Sequence, residues 1–123
     1  MAKIMVVEDD DGILEILKRF LVSLGYEAIL ADSGEEALKR MKEMPEIVIL
    51  DIMMPGMNGF GVLEEIKEKV PSTEVMVMTG VDEIELGIEC IERGAFEFMP
   101  KPLNLDHLKL LLEFKLKQMG VTN

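Results

Sequence analysis

The sequence predicts an α/β protein with a doubly wound parallel sheet covered by helices on both faces. Short, continuously apolar runs, typical of strands buried on both faces, alternate five times with stretches that have helical periodicity. Strands joined by helical crossovers pair in parallel, so five βα units predict a five-stranded parallel sheet. The chain has 123 residues, the size of one compact domain, and we expect a single domain over residues 1–123.

The first half of the chain contains three predicted strands, at residues 4–7, 27–31 and 47–50. Asp10 or Asp11 is expected to cap the helix after the first strand, and Gly25 ends that helix. The second helix opens with the capping box Ser33–Glu36 and runs to about Lys42. Residues 51–58 form a loop, because Pro, Gly and Asn residues interrupt regular structure there.

The second half contains two further strands, at residues 75–78 and 96–99, and three helices, at residues 60–69, 82–93 and 105–119. The apolar positions of the helix at 82–93 are Ile84, Ile88 and Ile91, and its Gly87 serves either flexibility or close packing. In the last helix, Leu108, Leu112 and Leu116 form one apolar stripe. Further apolar residues beside this stripe widen it, and they are Leu110, Leu111 and Phe114. This width fits either a broad core-facing helix or a partner or dimer surface.

Charge and composition exclude several functional classes. The formal net charge is -11, from 24 acidic and 13 basic residues, which argues against direct binding to nucleic acid or to an anionic membrane. The single cysteine, Cys90, cannot form an internal disulfide and is expected in the core. Because neither a signal peptide nor a membrane span is evident, we expect a cytoplasmic location.

Reactive side chains follow four of the five predicted strands. They are Glu8, Asp9, Asp10 and Asp11 after the first strand, Asp51 after the third, Thr79 after the fourth and Lys101 after the fifth. In parallel sheets the ligand site lies beyond the carboxyl ends of the strands, so these groups are expected to converge.

The chemistry of this set points to a phosphoaspartate. Clustered carboxylates repel one another, and Mg²⁺ relieves the repulsion, because it prefers oxygen ligands and bridges to phosphate. Lys101 and the Thr79 hydroxyl can meet phosphoryl oxygens, and Asp51 can attack phosphorus in line.

The chain resembles the receiver domain of two-component response regulators over nearly its whole length. The segments that carry the resemblance are residues 6–10 (VVEDD), 48–59 (VILDIMMPGMNG), 78–80 (MTG) and 94–102 (GAFEFMPKP). The last segment looks most like receivers of nitrogen-regulatory-type transcription activators. The resemblance implies a flavodoxin-like (βα)5 fold with strand order 2-1-3-4-5.

The resemblance also implies a role for each site residue. Asp51 would be the phosphoacceptor, assisted by Thr79 and Lys101. The ligands of Mg²⁺, or of Mn²⁺ in its place, would be Asp9, Asp51, the backbone carbonyl of Met53 and Glu8, which would act either directly or through a water molecule. Thr79 would move onto the phosphoryl group, and Phe98 would turn inward as the aromatic switch residue.

In the family, the phosphoryl donor is a phosphohistidine on a sensor histidine kinase, which would dock on the first helix and the loop near Pro102. The face formed by residues 82–93, 96–99 and 105–119 would then control an output domain, a downstream protein or homodimerisation. The expected protein is a signalling switch rather than an enzyme, and its only reactions would be Mg²⁺-dependent self-phosphorylation from a donor and slow self-dephosphorylation.

Three alternatives fit parts of the pattern. Phosphatases that form an aspartyl-phosphate carry the motif Asp-x-Asp, but in this chain Met53 occupies the position of the second acidic residue. A flavodoxin-like cofactor module needs a phosphate loop after the first strand, where residues 8–11 would repel phosphate. A degenerate receiver that acts only as an interaction module is the third.

Overall fold

A computed structural model describes residues 1–121, whose five strands form one parallel sheet. The strands are β1 (Lys3–Val7), β2 (Glu27–Ala31), β3 (Ile47–Asp51), β4 (Glu74–Thr79) and β5 (Glu97–Pro100). Their order is β2-β1-β3-β4-β5, and every neighbouring pair is parallel. The predicted sheet and its strand order are confirmed. Residues 122 and 123, at the end of the predicted domain, lie outside the described residues.

Five helices connect or follow the strands. They are α1 (Asp11–Ser23), α2 (Gly34–Arg40), α3 (Gly59–Lys69), α4 (Ile84–Glu92) and α5 (Leu105–Gln118). Four of them begin at a side-chain cap, provided by Asp10, Ser33, Asn58 and Asn104. Glu83, at the start of α4, makes no such hydrogen bond. No helix within residues 1–121 has both the length and the apolar character needed to span a bilayer.

The sheet separates two hydrophobic cores, because successive strand residues point to opposite faces. In β1, Met5 and Val7 pack on the side of α2, α3 and α4, whereas Ile4 and Val6 pack on the side of α1 and α5. Cys90 is buried in the core, as predicted, on the same side of the sheet as Met5 and Val7. Burial raises the pKa of its thiol to about 11. Because helices cover both faces of the sheet, the ends of the strands are where a ligand site is expected.

Several element boundaries differ from the prediction by one or two residues, and the differences in α4, α2 and β5 are described here. The helix expected from Asp82 begins at Ile84, because Glu83 N–H donates to the Gly80 carbonyl (3.1 Å) and closes a turn first. Helix α2 ends at Arg40 and a 3₁₀ turn, Met41–Glu43, completes the segment. Strand β5 lies one residue later than expected, since Lys101 N–H donates to the Thr79 carbonyl (2.8 Å) and keeps the chain paired through Pro100.

The apolar faces of α4 and α5 are only partly buried. In α5, the stripe of Leu108, Leu112 and Leu116 is buried, whereas Leu110 and Phe114 are exposed. A core-facing role is therefore wrong for those two residues. In α4, the buried residues are Gly87 and Cys90, and the three isoleucines are exposed.

Candidate functional site

The predicted site residues meet at the carboxyl edge of the sheet. Asp51 ends β3, Glu8 follows β1 and Lys101 follows β5. Lys101 Nζ lies 2.7 Å from Asp51 Oδ2 and 3.0 Å from Glu8 Oε2. Parallel pairing of β1, β3, β4 and β5 brings these distant positions together.

Two of these carboxylates are buried. Glu8 is 1% exposed and Asp51 is 3% exposed, whereas Asp9 is exposed. Glu8 enters the interior because its N–H donates to the Ala31 carbonyl (3.0 Å) and continues the pairing with β2. One carboxylate oxygen from each of Glu8, Asp9 and Asp51 lies within 4.8 Å of the other two. The site therefore brings three carboxylates together, and Lys101 contacts two of them, Glu8 and Asp51.

The pKa values of the two buried carboxyls move in opposite directions. Burial, reinforced by the neighbouring Asp51, raises the pKa of Glu8 to about 7. Burial alone would also raise the pKa of Asp51, but hydrogen bonds from Glu8, Lys101 and Met53 N–H hold it below its usual value. Asp51 is accordingly ionised at neutral pH. The same carboxylates outweigh burial at Lys101 and raise its pKa, so its ammonium stays charged.

This donor set suits a hard divalent cation. Glu8 Oε2 is buried and accepts no hydrogen bond within residues 1–121, although Lys101 Nζ lies nearby. The carboxylate oxygens of Glu8, Asp9 and Asp51 are ligands of the kind that Mg²⁺ and Mn²⁺ prefer. Met53 is exposed, and its N–H donates to Asp51 Oδ1 at 3.0 Å, which orients the carboxylate.

Neither of the two predicted switch residues makes a hydrogen bond to Asp51 within residues 1–121. The Thr79 hydroxyl is buried and donates to the Met99 carbonyl at 3.4 Å. Phe98 is half-buried and its ring packs against Gly87 of α4, where an added Cβ would lie 2.5 Å from Cγ of the ring. Of the two roles considered for Gly87, close packing is therefore present. The sequence offered close packing as one role of Gly87 but did not identify Phe98 as the partner, because a glycine carries no hydrophobic signal.

Replacing Gly87 by alanine is expected to destabilise the protein by about 1–3 kcal/mol, because the new methyl group would force the Phe98 ring from its position. This loss opposes the gain in helix propensity of about 1 kcal/mol. Urea unfolding of Gly87→Ala measures the difference. In a Phe98→Ala background the same change should be neutral or stabilising, and an equal loss in both backgrounds would contradict the proposed clash.

Comparison with known proteins adds independent information. Residues 4–113 match the response regulator receiver domain. The chain is 38% identical over 114 residues to a cyclic di-GMP phosphodiesterase of Thermotoga maritima, covering 93% of this chain and 31% of that protein. It is 32% identical over 111 residues to the DNA-binding transcriptional regulator NtrC of Escherichia coli K12, covering 89% of this chain and 24% of that protein. The chain thus spans less than a third of these relatives.

Solved structures agree with the sequence matches. NtrX from Brucella abortus superposes with a TM-score of 0.91 at 33% identity, covering 98% of this chain and 28% of that chain. A response regulator receiver domain protein from Clostridium thermocellum gives a TM-score of 0.91 at 31% identity and covers 98% of both chains. The matches to NtrC and NtrX support the predicted similarity to nitrogen-regulatory-type receivers. The chain belongs to the response regulator receiver domain family, whose members act as signalling switches.

Proposed function

We propose that residues 1–123 form a single cytoplasmic receiver domain that accepts a phosphoryl group on Asp51 from a sensor histidine kinase, in a Mg²⁺-dependent reaction. The observation that supports this most directly is the buried Asp51 side chain, which lies next to Lys101 and the Glu8–Asp9 pair. Phosphorylation then alters the face of residues 82–93, 96–99 and 105–119. That face controls an output domain, a downstream protein or a second copy of the chain.

Asp51 is suited to act as the nucleophile. Its lowered pKa keeps the carboxylate ionised, and Met53 N–H and Lys101 Nζ hold one oxygen each. In the proposed step, a carboxylate oxygen of Asp51 attacks phosphorus while the bond from phosphorus to the donor breaks, and the donor leaves with the electron pair. The product is an acyl phosphate on Asp51, and attack by water on it accounts for slow self-dephosphorylation.

The charges around Asp51 fit this transfer. Glu8, Asp9, Asp51 and the carbonyl of Met53 would hold Mg²⁺ or Mn²⁺, which when bound would supply positive charge to the phosphoryl oxygens. The chain itself provides a positive charge at the ammonium group of Lys101, whose Nζ lies 2.7 Å from Asp51 Oδ2. The Thr79 hydroxyl, whose 3.4 Å hydrogen bond to Met99 is long, is free to reorient toward a phosphoryl oxygen.

The proposed switch connects Thr79 to α4 through Phe98. Thr79 ends β4, and Phe98 lies in β5 against Gly87 of α4. A movement of the Thr79 hydroxyl away from Met99 removes a contact next to Phe98, so the ring and α4 can rearrange together. Helix α4 has no side-chain cap at its start, which lowers the free energy needed to shift it.

A groove of about 430 Å³ supports the proposed kinase docking site. It is lined by Ile13, Ile16 and Leu17 of α1 and by Pro102 and Leu103 after β5. Lys101 also reaches this groove, so a partner seated there lies beside the phosphoacceptor.

The direct test is an intact-mass measurement after incubation with acetyl phosphate. We expect the mass to increase by one phosphoryl group when Mg²⁺ is present, and no increase when EDTA replaces the metal or when Asp51→Asn is used. Asp9→Asn, which retains the phosphoacceptor but loses a predicted metal ligand, should need more Mg²⁺. If no adduct forms under any condition, the phosphoryl-transfer proposal is wrong and the chain acts as an interaction module.

A further inference from the structure

Helix α4 is held weakly at its start. Within residues 1–121, Glu83 provides no side-chain cap, and backbone hydrogen bonds close the first turn, from Glu83 N–H to the Gly80 carbonyl (3.1 Å) and from Gly87 N–H to the Glu83 carbonyl (3.0 Å). Val81 and Ile84, beside this turn, are 69% and 61% exposed. Backbone hydrogen bonds with little apolar packing around them are typical of segments that open at low free energy.

The other end of α4 is closed by a hydrogen-bonded cap. Gly94 has a φ of 113°, a conformation that favours glycine, and its N–H donates to the Ile91 carbonyl (3.1 Å). Ala95 N–H donates to the Cys90 carbonyl (3.0 Å), and both of these residues are buried. This pair of hydrogen bonds is a Schellman motif, which satisfies carbonyls of the last turn. We call the N–H groups of Gly94 and Ala95 the α4 cap amides.

Arg93 connects this capped end to α3. Its Nη1 lies 3.0 Å from Glu64 Oε1, and its guanidinium lies over the Phe60 ring, 4.5 Å from the ring centroid. A Cβ at Gly94 would lie 3.2 Å from Lys67 Cγ, and the Lys67 ammonium is itself fixed by hydrogen bonds to three oxygens. An exposed ion pair alone contributes little, but the aromatic contact and the packing on α3 add to it. We call the contacts of Arg93 with Glu64 and Phe60 the α3 anchor.

Helix α5, the other helix of the face in the proposed function, is held at both ends. Asn104 caps its start with a side-chain hydrogen bond of 3.0 Å. Beyond its end, Val121 N–H donates to the Leu116 carbonyl (2.9 Å), and Lys115 in its last turn binds Glu74 of β4 at 2.7 Å. Of the two helices, α4 is therefore the one with a weakly held end.

We infer that Arg93 is a positioning residue that anchors the C-terminal end of α4 to α3, so that α4 rotates about this end while α5 keeps its position. The start of α4 then moves furthest, and it follows Thr79 through the turn at residues 80–83. A weaker anchor lets the whole helix leave its resting position instead of its first turn alone. The link to phosphorylation rests on the proposed function, whereas the unequal hold on the two ends does not depend on it.

The test is residue-resolved amide hydrogen exchange of the full chain, measured by NMR without metal or phosphodonor. In the parent, we expect the amides of Gly87 and Ile88 to exchange about tenfold faster than the α4 cap amides, after correction for intrinsic rates. Arg93→Met, which keeps an apolar stem but loses the guanidinium, should lower the protection of the cap amides about fivefold relative to β3. Equal protection of the two ends in the parent, or unchanged cap amides in Arg93→Met, would overturn the inference.

Arg19→Met is the matched control. Arg19 binds Glu15 at 2.9 Å, about as closely as Arg93 binds Glu64, but both residues of the control pair lie in α1. Its loss should leave the α4 cap amides within about twofold of the parent. The amides of β3 report the global stability of each variant, so a general loss of structure is recognised. A control that affects the cap amides as much as Arg93→Met does would contradict the anchor.

Double variants test whether Arg93 acts through α3. Glu64→Gln and Phe60→Leu should each lower the protection of the α4 cap amides. Neither change should lower it further in the Arg93→Met background, because the contact that each one removes is already lost there. Additive losses would show that Arg93 does not act through these two side chains, and the inference would be wrong.

A second exchange measurement separates this inference from the proposed function. Acetyl phosphate and Mg²⁺ are kept in excess, and intact mass confirms the phosphoryl group. The amides of Gly87 and Ile88 should then change in protection about threefold or more, and those of α5 less than about twofold. If the adduct forms and α5 responds as strongly as α4, the inference is wrong and the proposed function stands. If no adduct forms, the proposed function is wrong, and the exchange of the unphosphorylated variants still decides whether Arg93 is the anchor.

Discussion

Replacing Lys101 by methionine is expected to lower the free energy of unfolding by about 3 kcal/mol at pH 8 without divalent cations, because the change leaves two buried carboxylates unpaired. Lys101 Nζ contacts both Glu8 and Asp51, and its side chain is only 30% exposed. Methionine retains most of the packing of the lysine stem, so the loss reports mainly on charge. Urea unfolding in EDTA measures it.

The loss should depend on pH in a defined direction. Without the cation, the pKa values of both carboxyls rise, so the variant takes up protons more readily than the parent as the pH falls. The difference in stability between parent and variant should therefore be smaller at pH 5 than at pH 8.

Lys115→Met is the matched control for Lys101→Met. Lys115 contacts a single carboxylate, Glu74, at 2.7 Å, and Glu74 keeps a second cation, Lys67, at 2.8 Å. Its loss should cost about 1 kcal/mol, the usual net value of one such interaction. Equal losses for the two variants would contradict the role given to Lys101.

Replacing Glu8 by glutamine should change the free energy of unfolding in the opposite direction to Lys101→Met. We expect it to stabilise the metal-free protein at pH 8 by up to about 3 kcal/mol. The pKa of Glu8 is raised from 4.5 to about 7, mainly by burial. Between these pH values the folded protein holds a proton that the unfolded chain releases. Glu8 thus contributes stability that is fully present below about pH 4.5 and lost as the pH rises through about 7. Glutamine carries no charge and avoids this loss.

The measurement is urea unfolding of the parent and Glu8→Gln at pH 5 and pH 8 in EDTA, followed by titration with Mg²⁺. The parent should lose stability between the two pH values, and the variant should lose much less. Glu8→Gln should also bind Mg²⁺ more weakly, since it removes a ligand oxygen. The exposed Asp9 provides the control, because Asp9→Asn should weaken Mg²⁺ binding without stabilising the metal-free protein. A parent whose stability rises from pH 5 to pH 8 would contradict the account of Glu8.

The effects expected for Lys101→Met and Glu8→Gln have one physical cause. Burying Glu8 next to Asp51 costs stability in the absence of a metal, and Lys101 offsets part of that cost. Functional sites commonly retain groups that a purely structural core would exclude. A divalent cation at the same carboxylates would relieve the remaining repulsion, which links metal binding to stability.

Much of the fold could be predicted because its determinants are local. Continuous apolar runs mark the strands, and the side-chain caps at Asp10 and Ser33 mark helix starts. Helix α4 was placed less well, since its start is formed by a turn to Gly80 and not by a side-chain cap.

The candidate site divides in the same way. The sequence by itself determined which side chains follow the strands, and parallel pairing then requires Asp51, Glu8 and Lys101 to share one edge. Only the tertiary structure decided that Lys101 contacts Glu8 as well as Asp51 and that the Thr79 hydroxyl is directed to Met99. It also decided which face of α4 is buried: Gly87 lets the helix approach Phe98, so the isoleucines remain outside. A prediction from hydrophobic periodicity relies on apolar side chains, whereas the buried face of α4 depends on Gly87, which has no side chain.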